Sequence, residues 1–142
     1  MDQTDNFVSY LAGTNAAEYQ NLYTFAVDAL TFSNKIHIYH WSCDKGFEHT
    51  HFQTVYETIR DFADSLVEIV LATGTEFKLT SKSYIFTDEI YNKENALRKL
   101  RNFIDTVAQY AEQFKSKIAI NSLMSDTVQA LEKEYGILLK FE

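Results

Sequence analysis

Four side chains in the stretch HWSCDKGFEHTHFQTVYETIRDFADSLVE, residues 40–68, have the chemistry of a metal site: the imidazoles of His40 and His49 and the carboxylates of Asp64 and Glu68. Nitrogen and carboxylate donors together suit iron or zinc better than calcium or magnesium. The stretch reads as the end of one helix, a tight turn near Lys45 and Gly46, and most of a second helix. With ~100° per residue, His49, Gln53, Tyr56, Arg60 and Asp64 share a stripe about 80° wide, and Glu68 lies one turn beyond, beside it. The apolar residues Phe52, Val55, Ile59, Phe62, Leu66 and Ile69 cluster roughly 120° away. The candidate ligands therefore ride on a flank of the helix, outside its core-facing side. Gln53, His37, His51 and Asp61 are lower-ranked candidates near the same stretch. His51 points roughly 160° away from His49 on the wheel, so a regular helix cannot bring both to one ion.

Each residue also has a plainer use. A histidine at a helix end caps carbonyls, His37 suits packing or support of a neighbouring ligand, and two acids at i and i+4 usually form a solvated face. Arg60 competes with a metal for Asp64 or Glu57. The four residues carry meaning only jointly, and their spacing sets a condition. A hairpin turning near Lys45 brings His40 level with His49, whereas Asp64 lies about 22 Å further along the helix at ~1.5 Å per residue. One ion cannot span that gap. Two hairpins packed antiparallel about a two-fold axis would bring His40 and His49 of one copy to Asp64 and Glu68 of the other, because such an interface contacts itself reciprocally.

These residues are also where the sequence resembles a known family. His40-Trp41 at the end of a first helix, His49 at the start of a second, and Asp64 with Glu68 some fifteen residues later resemble the Dps group of ferritin-like proteins (mini-ferritins), and more closely the small ferritin-like proteins of bacteria and phages. The motif covers about 30 residues, and the expected helix layout extends the likeness over most of the chain. The resemblance implies a ferroxidase site between two subunits, with His40, His49, Asp64 and Glu68 as ligands. It implies oxidation of Fe(II) by peroxide or oxygen, storage of the ferric product in a shell of twelve subunits, and protection against oxidative stress. It also implies a place for Trp41 beside the iron, where the indole could supply an electron. Otherwise Trp41 is most simply a core or interface anchor. Two features depart from the family pattern. The His-to-His spacing is shorter, and Gln53 stands where an acidic residue is usual.

The elements that must position these groups are helical. The chain has 142 residues, 46% of them hydrophobic and 23% charged, with no proline and four glycines. That favours one domain of long, unbroken helices. A first helix is expected from about Ala16 to Trp41, with Tyr19, Leu22, Tyr23, Ala26, Leu30 and Ile36 as its apolar pattern. The second ends near Ala72, where Thr73-Gly74-Thr75 stops it. Residues 74–91 lose the periodicity. They are read as a crossover spanning the bundle, with Phe77, Leu79, Tyr84, Ile85 and Phe86 too apolar to leave fully exposed. The third helix runs from about Asn92 to Lys117 on Leu97, Leu100, Ile104, Val107, Ala111, Phe114 and Ile118, with Thr87 or Asn92 as its cap. Nothing in it offers the Glu-x-x-His pair of a di-iron site held within one chain. A fourth helix is expected after Asn121 or Ser125, carrying Val128, Leu131, Tyr135, Leu138 and Leu139 inward. The sum is an all-α, ferritin-like four-helix bundle, up-down-crossover-up-down, preceded by a polar tail over residues 1–15.

Composition narrows the function. The net charge of −7 argues against unspecific binding to DNA or anionic lipid and suits cations. The tail carries Asp2 and Asp5 and no Lys or Arg, unlike the lysine-rich tails of DNA-binding Dps proteins. A lone Cys43 excludes an internal disulfide and fits a reducing compartment. No run of apolar residues is long enough for a membrane span, and the N-terminus lacks a signal core, so a cytoplasmic protein is expected. The first reading is an iron-oxidising oligomer, a two-fold dimer at minimum. The second is a non-catalytic helical oligomer with weak or structural zinc in place of iron. A DNA-compacting role ranks last.

Overall fold

In a computed structural model, which describes residues 16–78 and 92–141, four α-helices account for most of the described residues. They are α1 (Ala16–Trp41), α2 (Gly46–Ala72), α3 (Lys93–Gln113) and α4 (Ile118–Lys140), and no strand occurs among the described residues. The N-terminal tail and the greater part of the crossover, with Leu79, Tyr84, Ile85, Phe86 and Thr87, lie outside them.

Local chemistry sets the helix ends. Thr73 and Gly74 stop α2, and Gly74 has φ +87°, a conformation that glycine reaches without a Cβ penalty. Asn92 caps α3 by accepting the amide of Asn95 at 2.8 Å. The third helix stops earlier than its periodicity predicts. It gives way at Phe114, and only Phe114–Lys117 separate it from α4, which starts at Ile118, before Asn121. The Asn121 amide donates to the Ala111 carbonyl at 2.8 Å, satisfying an acceptor at the end of α3 from within α4. Ile118 consequently opens a new helix and is 82% exposed, where the continued pattern had placed it in the core.

α1 packs along α2, α2 along α4, and α4 along α3. The ring is closed between α1 and α3 by aromatic side chains: Phe25 meets Phe103 (5.6 Å between centroids) and Tyr110 (4.7 Å), and Phe32 meets Phe103 (5.3 Å). Phe62 of α2 joins the same group, 5.9 Å from Phe25. Each such ring withdraws enough apolar surface to contribute about 2–3 kcal/mol. Phe52, Val55, Ile59, Phe62 and Leu66 are buried as the wheel of α2 predicts. Leu30 and Leu139, assigned to the interior by pattern, are instead 43% and 60% exposed among the described residues.

Helix directions follow from contacts at the two ends. Tyr19 opens α1 and stacks on Phe114 beyond the end of α3, so those helices are antiparallel. His51 near the start of α2 meets Glu134 near the end of α4. Lys93 opens α3 and reaches both the Phe141 carbonyl (3.0 Å) and Glu48 in the first turn of α2 (3.3 Å). α2 and α3 therefore begin at the same end of the bundle, and the directions are up, down, down, up. This corrects the expected up-down order of the second pair. The end of α2 and the start of α3 lie at opposite ends of the bundle, and α3 therefore runs parallel to α2.

Candidate metal centre

The α1–α2 turn is short because it is self-bonded. The Ser42 amide donates to the Tyr39 carbonyl (2.8 Å), and the Cys43 amide donates to the His40 carbonyl (3.2 Å). The Cys43 sulfur lies 3.6 Å from the Tyr39 carbonyl, and burial, then the charge of Glu48, raises its pKa, so it remains a protonated packing thiol. This turn sets His40 directly against His49. Their rings stack with centroids 3.5 Å apart, and each Nδ1 lies against the other's backbone carbonyl: His40 Nδ1 to the His49 oxygen at 2.6 Å, His49 Nδ1 to the His40 oxygen at 3.0 Å. A carbonyl only accepts, so each Nδ1 carries the hydrogen, and in the neutral ring the lone pair is then on Nε2. That is the tautomer in which a histidine binds a metal through Nε2 while a second group holds its far nitrogen.

His40 is 5% exposed, and burial lowers its pKa from the ordinary histidine value, ahead of opposing and reinforcing effects from His49, His37 and Glu57. The buried imidazole is neutral at pH 7, as a ligand must be. Around the pair, His37 packs on Tyr56 (4.0 Å) and on Trp41 (4.9 Å), and Tyr56 stacks 5.3 Å from His40. Tyr56, buried, and Glu57, whose charge reaches His40, are the neighbours that motif reading passed over, although both lie on or beside the His49 stripe.

The other candidates are placed as follows. Asp64 and Glu68 are exposed on the flank of α2, about four and five turns from His49. Gln53 is exposed and donates to Glu57 at 3.1 Å. Asp61 is the partner of Arg60 at 3.7 Å, where Asp64 or Glu57 had been expected, and both groups are well exposed. His51 faces α4 and binds Glu134 at 2.6 Å, an interhelix tie in place of the alternative ligand it was held to be. Trp41 is 68% exposed, which removes it from the core. Among the described residues, no three of His, Cys, Asp and Glu stand together as a set able to hold a metal. Within one chain the histidines and the acids remain two separate half-sets.

At the acidic end of this face α1 and α2 enclose an open groove of about 680 Å³, lined mainly by Ala26, Val27, Ala63, Val67, Leu71 and Phe77, with Arg60, Asp61 and Asp64 at its edge. No helix among the described residues is long and apolar enough to cross a membrane. No protein-family model, no curated protein and no solved structure matches the chain.

Proposed function

We propose that the chain is an iron-oxidising, ferritin-like oligomer whose metal sites each draw on two copies. The observation that carries this reading is the paired geometry of His40 and His49, both held by backbone carbonyls in the tautomer that presents Nε2. The two carboxylates on the same face of α2 complete the argument, since they lie a fixed distance away and are left exposed. Packing two hairpins antiparallel would supply two imidazoles and two carboxylates to each of two equivalent sites. Helix order and the bundle-spanning connection support the ferritin-like topology, and the sequence resemblance to mini-ferritins supports the substrate.

In this reading Fe(II) is the substrate. The imidazoles bind it as neutral donors, and the carboxylates offset the added positive charge of Fe(III), which favours loss of the electron to peroxide or oxygen. Buried His40 and Tyr56 keep bulk water from one side of the site. Gln53 in place of an acid leaves one fewer negative charge beside the imidazoles.

The test is aerobic addition of Fe(II) to the purified chain, followed by the ferric-oxo absorbance and by native mass. Catalysed growth of that band in an assembled species supports the proposal. A chain that binds zinc with the same residues but does not accelerate iron oxidation is the structural-zinc oligomer instead.

A further inference from the structure

Among the described residues, nothing packs over the outer face of Trp41 or fills the α1–α2 groove. The indole is 68% exposed and rests one face on His37, while the groove leaves Leu30 and Leu71 43% and 48% exposed. Burying a tryptophan contributes substantially to association, and a solvent-facing indole at one end of the hairpin with an open apolar groove towards the other gives two copies complementary surfaces. We infer that the groove's occupant is Trp41 of a second copy, two such insertions clamping an antiparallel dimer. The inference rests on the shared-site proposal for its register and deepens it.

The register follows from α2 alone. An axis that sets His49 opposite the Asp64–Glu68 pair of the other copy crosses α2 near Glu57 and Thr58. In the hairpin His40 is level with His49, and Ser33, whose hydroxyl donates to the Tyr56 carbonyl at 2.7 Å, is level with Tyr56. Trp41 is therefore level with Glu48, and the axis carries that level to Val67 of the other copy, in the groove's apolar stretch. The faces also agree. Trp41 lies eleven residues, close to three turns, beyond Leu30 and so projects from the same side of α1 that borders the groove.

Charge supplies an independent check. The same axis brings Arg60 of each copy within a turn of Glu57 of the other. Among the described residues Arg60 makes the loose contact with Asp61, at 3.7 Å between two exposed groups. Among the described residues Glu57 accepts from the side-chain amide of Gln53. Two opposite charges meeting twice about the axis favour this pairing over a parallel one, in which Arg60 would face Arg60.

Trp41 is the chain's only tryptophan, so its fluorescence reports this position without labelling. In a dilution series followed in parallel by sedimentation, assembled protein should emit at shorter wavelength and resist acrylamide quenching. Both properties should vanish as the species becomes monomeric. Trp41→Ala, and Leu71→Asp at an already exposed groove position, should each raise the dimer Kd about 30-fold or more while leaving the helical circular-dichroism signal unchanged. Arg60→Glu and Glu57→Arg should each weaken assembly, and a one-to-one mixture of those two variants should restore it, because both charge pairs are then opposite. Assembly in which Trp41 stays fully quenchable overturns the insertion but leaves the shared metal site standing. A mixture that fails to restore assembly overturns the register. A chain that is monomeric at every concentration overturns both the insertion and the shared site.

Discussion

Removing one ligand from each half-set gives the sharpest test of a site divided between copies. His49→Ala deletes an imidazole at one end of α2, and Asp64→Ala deletes a carboxylate about 22 Å away at the other. If each site took its ligands from one chain, every molecule in a mixture of the two variants would still carry its own lesion, and mixing would change nothing. With divided sites the outcome differs. In a mixed dimer both lesions fall in the same site, because the chain lacking His49 faces the chain lacking Asp64. The second site then receives an intact His49 from one chain and an intact Asp64 from the other. Random pairing makes about half of the dimers mixed, each with one whole site, so about a quarter of the wild-type sites return. The assay is the initial rate of ferric-oxo absorbance for each variant alone and for the mixture after exchange at low concentration. Each variant alone should be close to the uncatalysed rate. A mixture no faster than its components, although mass spectrometry shows mixed dimers, would refute the divided site.

Three further expectations follow from named contacts. In metal-free protein, burial depresses the pKa of His40, so the unfolded chain takes up a proton near pH 6.5 that the folded chain still refuses. Stability should therefore be full above about pH 6.5 and decline as pH falls below it; urea midpoints across that range should slope less steeply in His40→Gln. Phe25→Ala removes the ring shared by α1, α2 and α3 and should cost about 3–5 kcal/mol of unfolding free energy; a loss under about 1 kcal/mol would mean that α1 and α3 are not joined there. Gln53→Glu sets a carboxylate beside Glu57, to which Gln53 now donates. It should lower the Fe(II) concentration needed for half-maximal oxidation several-fold, since a cation relieves the repulsion between the two acids. An unchanged or raised requirement would place the Gln53 stripe away from the metal.

Helix content, the ends of α1 and α2, the Asn92 cap and the meeting of His40 with His49 were legible in the sequence, because each depends on residues a few positions apart. Periodicity selects the buried side of α2, and the absence of proline lets the helices run on. The lone Gly46 marks the turn that folds one histidine onto the other. Where the chain must choose between two local possibilities, the sequence was a weaker guide. The apolar rhythm of α3 runs on to Ile118, yet the break at Phe114 is decided by an amide four residues into the next helix. The preferred ligand His49 and the alternative His51 differ in sequence only by their angle on the wheel. What separates them is Glu134, more than eighty residues away.

What the amino-acid order determined by itself was a set of donors and a condition on them: two imidazoles that meet and two carboxylates too far off to join them. Tertiary structure decided the tautomers, because only folding places a carbonyl against each Nδ1. It also decided which apolar residues stay exposed, since Leu30 and Leu139 fit a core pattern and are nevertheless 43% and 60% exposed among the described residues. Short-range geometry is written in the spacing of neighbours; the fate of a surface depends on what the whole chain can bring to it.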